Sequence, residues 1–292
     1  MRYHARMITL IEPGSQDLGG FLVRRALPHR RCRHVGPFVF FDHMGPARFE
    51  AGRGVDVRPH PHIGLATVTY LFAGALEHRD SLGSVQTIRP GDINWMTAGR
   101  GIVHSERTPH AERSAGHDVH GIQIWVALPR ADEATEPSFH HHPARTLPEI
   151  ECGDVHLRLL VGSAFDRRSP VATHSAMFYV AADFAAGGTL TLAAEHAERA
   201  VYAVDAPLAI DGTPLPAGCL AVLPAHVPRE IRATARARAV LFGGAPLDGE
   251  RFLWWNFVAS SRERIECAKA DWADGRFPPV PGETEFIPLP ER

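Results

Sequence analysis

The sequence predicts an all-β protein built from two antiparallel barrels or sandwiches and closed by a short C-terminal helix. Three observations carry this reading. Between Arg53 and His104, runs rich in β-branched and aromatic residues, such as ATVTYLFAG and SVQTIRPGDINWMTAG, are divided by Gly, Pro, Asp and Ser, the residues that turn a chain between strands. From about Glu151 a second β-rich stretch begins, and its LPAGCLAVLPAH echoes IRPGDINWMTAG as a Gly-bearing turn leading into an apolar strand, so one barrel reads as a degenerate duplication of the other. The clearest helical pattern is SSRERIECAKADWADGRF, near the end.

Composition bounds the classes. A chain of 292 residues suits two domains better than one. Hydrophobic residues at 45% and charged residues at 22% supply ordinary globular cores and exclude wholesale disorder. Lys and Arg number 31 against 33 Asp and Glu, with no long run of one sign, which argues against direct nucleic-acid binding by bulk charge. No apolar run reaches the roughly 18 residues of a membrane span, so no membrane partner is expected.

In chain order, MRYHARMITLIEPGS lacks the apolar core of a secretory signal. Cys32, Cys152, Cys219 and Cys267 are scattered without a C-x-x-C pair, as reduced thiols would be. Both features predict a cytoplasmic protein. FVFFDHMGP carries Asp42 and His43, candidates for the pocket mouth or for orienting a ligand imidazole. After the strands of Arg53–His104, HGIQIWVALP reads as a further strand that alternates Gln123 and Trp125 with apolar residues, making Gln123 a pocket-lining candidate. A first domain is therefore expected over residues 1–130. Residues 131–148 are polar, proline-bearing and without period, an interdomain linker in which His140, His141 and His142 form an exposed run. The second domain is expected over 149–242 and a tail over 243–292. In the tail, RFLWWNFV supplies core aromatics, Ser260 and Glu263 form a capping box, Ile265, Ala268 and Trp272 make the apolar stripe, and Gly275 stops the helix.

Chemistry is concentrated in two short pairs. RPHPHIG sets His60 and His62 two apart in extended chain, where they project from one face. TAGRGIVHSERT repeats the spacing with His104 and Glu106, so a facing strand could bring an imidazole and a carboxylate to the same point. Three imidazoles and one carboxylate suit Fe, Mn, Co, Ni, Cu or Zn better than Ca or Mg, which prefer all-oxygen shells. Phosphate-binding glycine loops and nucleophile elbows are absent from the sequence.

The stretch VDVRPHPHIGLATVTYLFAG, with HRDSLGSVQTIRPGDINWMTAGRGIVHSE and the tail WWNFVASSRERIECAKADWADGRF, resembles the pirin family of the cupin superfamily. The resemblance implies a bicupin: two jelly-roll barrels, a metal only in the N-terminal one, and a tail packed back on that barrel. It places the metal ligands at His60, His62, His104 and Glu106. One departure is that Ala66 stands where the general cupin pattern has a Glu, which leaves Glu106 as the carboxylate; Ile63, Gly64 and Leu65 likewise make the lining less polar than in many pirins. In the second barrel the corresponding place holds Glu195, His196 and Glu198, with His226 later, at poor spacing for a second metal.

An octahedral ion held by four such ligands keeps two positions open for water, substrate or O2. What the resemblance implies for function is an Fe(II)-dependent dioxygenase that opens a flavonol such as quercetin, with Glu106 as both ligand and catalytic proton acceptor. The alternative is an iron-dependent regulator, without catalysis, that binds a transcription factor or a metabolic enzyme.

Overall fold

The computed structural model describes residues 7–17 and 21–291, and their β-branched and aromatic runs form strands nearly throughout. In chain order these are β1 (Thr9–Ile11), β2 (Gly14–Asp17), β3 (Leu22–Leu27), β4 (Phe38–Phe49), β5 (Asp56–His62), β6 (Leu65–Ala73), β7 (Leu76–Asp80), β8 (Val85–Ile88), β9 (Ile93–Thr97) and β10 (Ile102–Arg107). A short α1 (His110–Ala115) precedes β11 (His117–Ala127), β12 (Ser138–His142), β13 (Glu149–Cys152), β14 (Val155–Ala164), β15 (Arg167–Arg168), β16 (Met177–Phe184) and β17 (Thr189–Leu192). Then come β18 (Glu198–Ala203), β19 (Leu208–Ile210), β20 (Thr213–Leu215), β21 (Leu220–Leu223), β22 (Arg229–Ala233), β23 (Ala237–Gly244), β24 (Phe252–Trp254), β25 (Phe257–Ala259) and α2 (Arg262–Ala273). The expected all-β architecture with a C-terminal helix is the one adopted; α1 is an addition that the sequence did not announce.

The chain divides into two compact units, each assembled from separated segments. The first takes the described residues up to Ser15, Arg24–Phe41 and Arg145–Leu247. Its sheets run β1-β21-β18-β23-β16-β14-β13 and β17-β22-β19-β20, with antiparallel pairing throughout. Strict alternation makes the core: in β17, Leu190 and Leu192 are buried while Thr189 and Thr191 are exposed. Those leucines pack with Leu159, Val180, Ile231 and Leu241, each such side chain contributing about 1.5–3 kcal/mol on leaving water.

The second unit takes the described residues of Gln16–Val23, Asp42–Ala144 and Asp248–Arg292. Within it, the sheet β5-β10-β7-β8 faces the run β12-β9-β6-β11-β4. Residues 138–142, read from the sequence as aperiodic linker, are β12, paired with β9 so that His140 lies opposite Trp95. An edge strand can be polar, because pairing satisfies its backbone whatever its side chains. His141 and His142 are accordingly half-buried rather than an exposed run.

The β24–β25 hairpin and α2 pack on Ile63: Phe257, Ala259, Ile265 and Ala268 bury it, and Val258 N donates to Ile63 O at 3.2 Å. This approach is close enough to require glycine next door. Gly64 has φ +67°, and a Cβ there would stand 2.0 Å from the Val258 carbonyl oxygen. The helix cap falls one residue later than expected. Glu133, buried, takes both the backbone N–H and the hydroxyl of Ser260, at 2.9 and 2.8 Å, so Ser261 caps instead, accepting from Arg264 N. Gly275 at φ +67° follows the last turn, donating its N–H to the Trp272 carbonyl.

Candidate metal centre

β5 and β10 are hydrogen-bonded antiparallel neighbours, with His60 opposite His104 and His62 opposite Ile102. The two ligand pairs thus sit on adjacent strands of one sheet rather than on facing ones. Alternation sends His60, His62 and His104 to the same side. One ring nitrogen from each lies within 4.8 Å of the other two, and Nε2 of His62 and of His104 are 3.1 Å apart. All three side chains are buried.

The tautomers follow from the partners. A carbonyl oxygen only accepts, so His60 Nδ1, 2.8 Å from Arg58 O, and His62 Nδ1, 3.1 Å from Asn256 O, each carry the ring proton. Nε2 of a neutral ring is then a bare lone pair. Neutrality is enforced: burial pushes His60 down to about 4, and burial together with the neighbouring imidazoles pushes His62 and His104 well below the ordinary histidine range. Lone pairs converging in a buried space repel one another unless a cation lies among them. Two ring nitrogens each about 2.1 Å from one ion and at right angles would lie about 3.0 Å apart, close to the separation seen here. The residues fit a divalent transition metal.

Glu106 follows a register shift that sets it opposite Val57. Its carboxylate lies outside the cluster of ring nitrogens and is held from the facing sheet: Oε1 accepts from Thr69 Oγ1 at 3.2 Å and Oε2 from Gln123 Nε2 at 3.4 Å. Gln123 Oε1 lies 3.3 Å from the same hydroxyl, whose single proton serves one acceptor at a time. Burial raises the Glu106 carboxyl above the usual carboxylate range, partly offset by His78 and by these two hydrogen bonds. Two residues along β11 from Gln123, the Trp125 ring stands edge-on to His62, with centroids 5.1 Å apart.

Two further residues of the centre escaped the sequence reading. His78 Nδ1 lies 3.3 Å from His104 Nδ1, and His78 Nε2 lies 2.9 Å from Asp80 Oδ2. Both are buried on β7, the other neighbour of β10, where His104 pairs with Asp80 and Glu106 with His78. The signal was available, since His78 and Asp80 repeat the i, i+2 spacing of the ligand pairs. The candidates Asp42 and His43 belong to β4 and are not among the three grouped ligands; His43 is buried with its Nε2 2.8 Å from Nε2 of His120.

In the other unit, two of the four residues considered for a second metal are otherwise engaged. His196 stacks on Phe178 with Nε2 2.9 Å from the Ser163 carbonyl, and Glu198 accepts from Gly36 N at 2.6 Å. Among the described residues, the one grouping with metal-ligand geometry is His60, His62 and His104. No described helix is long and apolar enough to cross a membrane.

Two family models match the chain. Residues 20–126 match the family model described as Pirin, and residues 179–278 that described as Pirin C-terminal cupin domain. A Pirin-like protein of Caulobacter vibrioides is 48% identical over 291 residues, 98% of this chain and 100% of the relative. A crystal structure of quercetin 2,3-dioxygenase from Acinetobacter baumannii superposes with a TM-score of 0.92 at 34% identity, covering 98% of this chain and 95% of that one. A bacterial pirin of Escherichia coli, solved in complex with nickel(II), shares the fold at a TM-score of 0.64 and 20% identity, covering 82% of this chain and 100% of that one.

Proposed function

The chain belongs to the pirin family, and we propose that it is an Fe(II)-dependent dioxygenase acting on a flavonol-like, hydroxylated aromatic small molecule with O2 as co-substrate. The observation that carries this reading is the convergence of three neutral, buried imidazole nitrogens beside a carboxylate of raised pKa. The likeness to the Acinetobacter quercetin 2,3-dioxygenase supports the substrate class. His60, His62 and His104 would hold the metal, with Glu106 as the fourth ligand when its carboxylate turns toward them. The four cysteines, all free, suit the reducing cytoplasm, where we place the protein.

Bound there, the metal supplies Lewis acidity toward a substrate hydroxyl and a redox-active centre for O2. The chain's own residues do the rest. Glu106 accepts the hydroxyl proton: its raised pKa brings it nearer that task than an exposed carboxylate would be. Thr69 and Gln123 hold the carboxylate by one donor to each oxygen while it is turned from the histidines, and a turn toward the metal would release at least one of them. Trp125 offers a flat apolar wall against which a planar aromatic ring can lie.

The test reconstitutes metal-free protein anaerobically with Fe(II), adds quercetin and air, and follows O2 uptake and flavonol absorbance beside His62→Ala and Glu106→Gln. Wild type should turn over well above free iron, with His62→Ala near background and Glu106→Gln reduced about 10²-fold or more. Turnover no faster than free iron, or undiminished in both variants, overturns the dioxygenase reading; metal binding without turnover would favour an iron-dependent regulator.

A further inference from the structure

Each ligand imidazole is oriented through its Nδ1, but not by the same chemistry. His60 and His62 use backbone carbonyls, of Arg58 and Asn256. His104 uses another side chain, His78, which is backed in turn by Asp80. We infer that His78 and Asp80 are positioning residues that select the metal-binding tautomer of His104 and fix the plane of its ring, an inference that rests on the metal-centre reading above.

If His104 gives Nε2 to a metal, its proton must sit on Nδ1 and point at His78 Nδ1, which must accept. The His78 proton is then on Nε2, facing Asp80 Oδ2. That arrangement is stable only if Asp80 is an acceptor at that position. The carboxylate is committed to this role by its other oxygen. Asp80 Oδ1 accepts from Leu82 N at 2.9 Å and Ser84 N at 3.0 Å, closing the turn between β7 and β8, which leaves Oδ2 to His78 alone among these groups. Burial alone would raise the Asp80 carboxyl, but His78 and the Ser84 donors outweigh it and hold it below its ordinary value. The His78 ring is clamped from the other side by Phe139, stacked at 4.1 Å between centroids and 9° between planes. Phe139 lies on β12, so a strand in the stretch read as linker completes the support of a ligand.

Asp80→Asn separates this reading from a merely structural one. The amide oxygen is kept on the two backbone donors, because the alternative would set an NH2 against two N–H groups. The amide NH2 therefore faces His78 Nε2. It donates, His78 becomes the Nδ1–H tautomer, and His104 is driven to carry its proton on Nε2, where it cannot ligate. Metal binding then requires two donors to face each other somewhere along the chain of rings. Replacing His78 by Phe as well removes the ring that transmits the wrong tautomer, while the stack on Phe139 is kept.

The experiment measures Co(II) affinity by chelator competition, together with the visible Co(II) spectrum, for wild type, Asp80→Asn and His78→Phe/Asp80→Asn. Tryptophan fluorescence of the metal-free proteins checks folding. Asp80→Asn should bind about 10–100-fold more weakly than wild type, and the double variant should bind more tightly than Asp80→Asn. Asp80→Asn with wild-type affinity and spectrum, or a double variant as weak as the single one, overturns the tautomer relay. Failure of wild type itself to bind Co(II) overturns the metal centre, and the relay with it.

Discussion

Acidification of the metal-free protein should expose the strain of holding three neutral imidazoles in one buried cluster. His60 is pushed from 6.5 down to about 4, equivalent to about 3 kcal/mol of preference for the neutral form. The sign follows from which state takes up the proton first. The unfolded chain protonates this histidine as pH falls through about 6.5, whereas the folded chain resists until about 4. Stability is therefore intact above 6.5 and lost progressively between 6.5 and 4, with about 2 kcal/mol gone by pH 5 from His60 alone. His62 and His104, also depressed, add in the same direction. His60→Asn is a suitable reference, since its amide NH2 can replace Nδ1–H toward the Arg58 carbonyl without titrating. All five tryptophans, Trp95, Trp125, Trp254, Trp255 and Trp272, belong to the unit containing the centre, so their fluorescence in urea reports that unit's unfolding. With chelator present, the loss between pH 7.5 and 5 should be about 2 kcal/mol or more greater in wild type than in His60→Asn. Losses equal within about 0.5 kcal/mol would refute the reasoning, because all remaining groups are common to both proteins.

Two substitutions outside the cluster should also register there. Gly64→Ala forces a side chain into left-handed backbone, at about 1–2 kcal/mol, and drives its Cβ against the Val258 carbonyl; displacing β25 should pull Asn256 from His62 and weaken metal binding about tenfold. Chelator competition and a thermal melt measure both effects, and unchanged affinity would contradict the link. Glu283 accepts from Ser105 Oγ and from two guanidinium nitrogens of Arg107, which draws its carboxyl below the usual range. Glu283→Ala should destabilise the unit by about 1–2 kcal/mol, a value reduced because Arg107 is partly exposed, and should speed proteolysis within residues 276–291; wild-type melting and cleavage rates would count against this anchor.

What was legible in the sequence divides by range of interaction. The strand class of β6, β9 and β10 follows from their β-branched and aromatic runs, and the shared face of His60 and His62 from their i, i+2 spacing, both of which a sequence displays directly; that His104 joins them depends on the pairing of β5 with β10. The helix was legible too, but its cap was not placed correctly, because a carboxylate at Glu133, remote in the chain, captured the expected Ser260. β12 was invisible for a related reason: a polar edge strand is specified by its partner β9 rather than by its own pattern. His78 and Asp80 have the informative spacing but no motif around them, and only the register of β7 against β10 gives them a role.

The carboxyl-terminal segment is better understood as part of the centre than as an appendage to its unit. Its contacts with β5 and β10 fall on or beside the predicted ligands: Ile287 N donates to Pro59 O next to His60, Asn256 O accepts from His62, Val258 pairs with Ile63, and Glu283 binds Ser105 between His104 and Glu106. Alternation explains the pattern, since residues flanking an inward ligand point outward and are the ones a covering segment can reach. Ligands on a bare edge could drift with their strands, and a metal site tolerates little such drift. Bracing each ligand strand from outside leaves the inner face, with Glu106, Gln123 and Trp125, to the chemistry proposed above. The tail and the histidine stretch are thus joined where His62 meets the Asn256 carbonyl and Ile63 meets Val258.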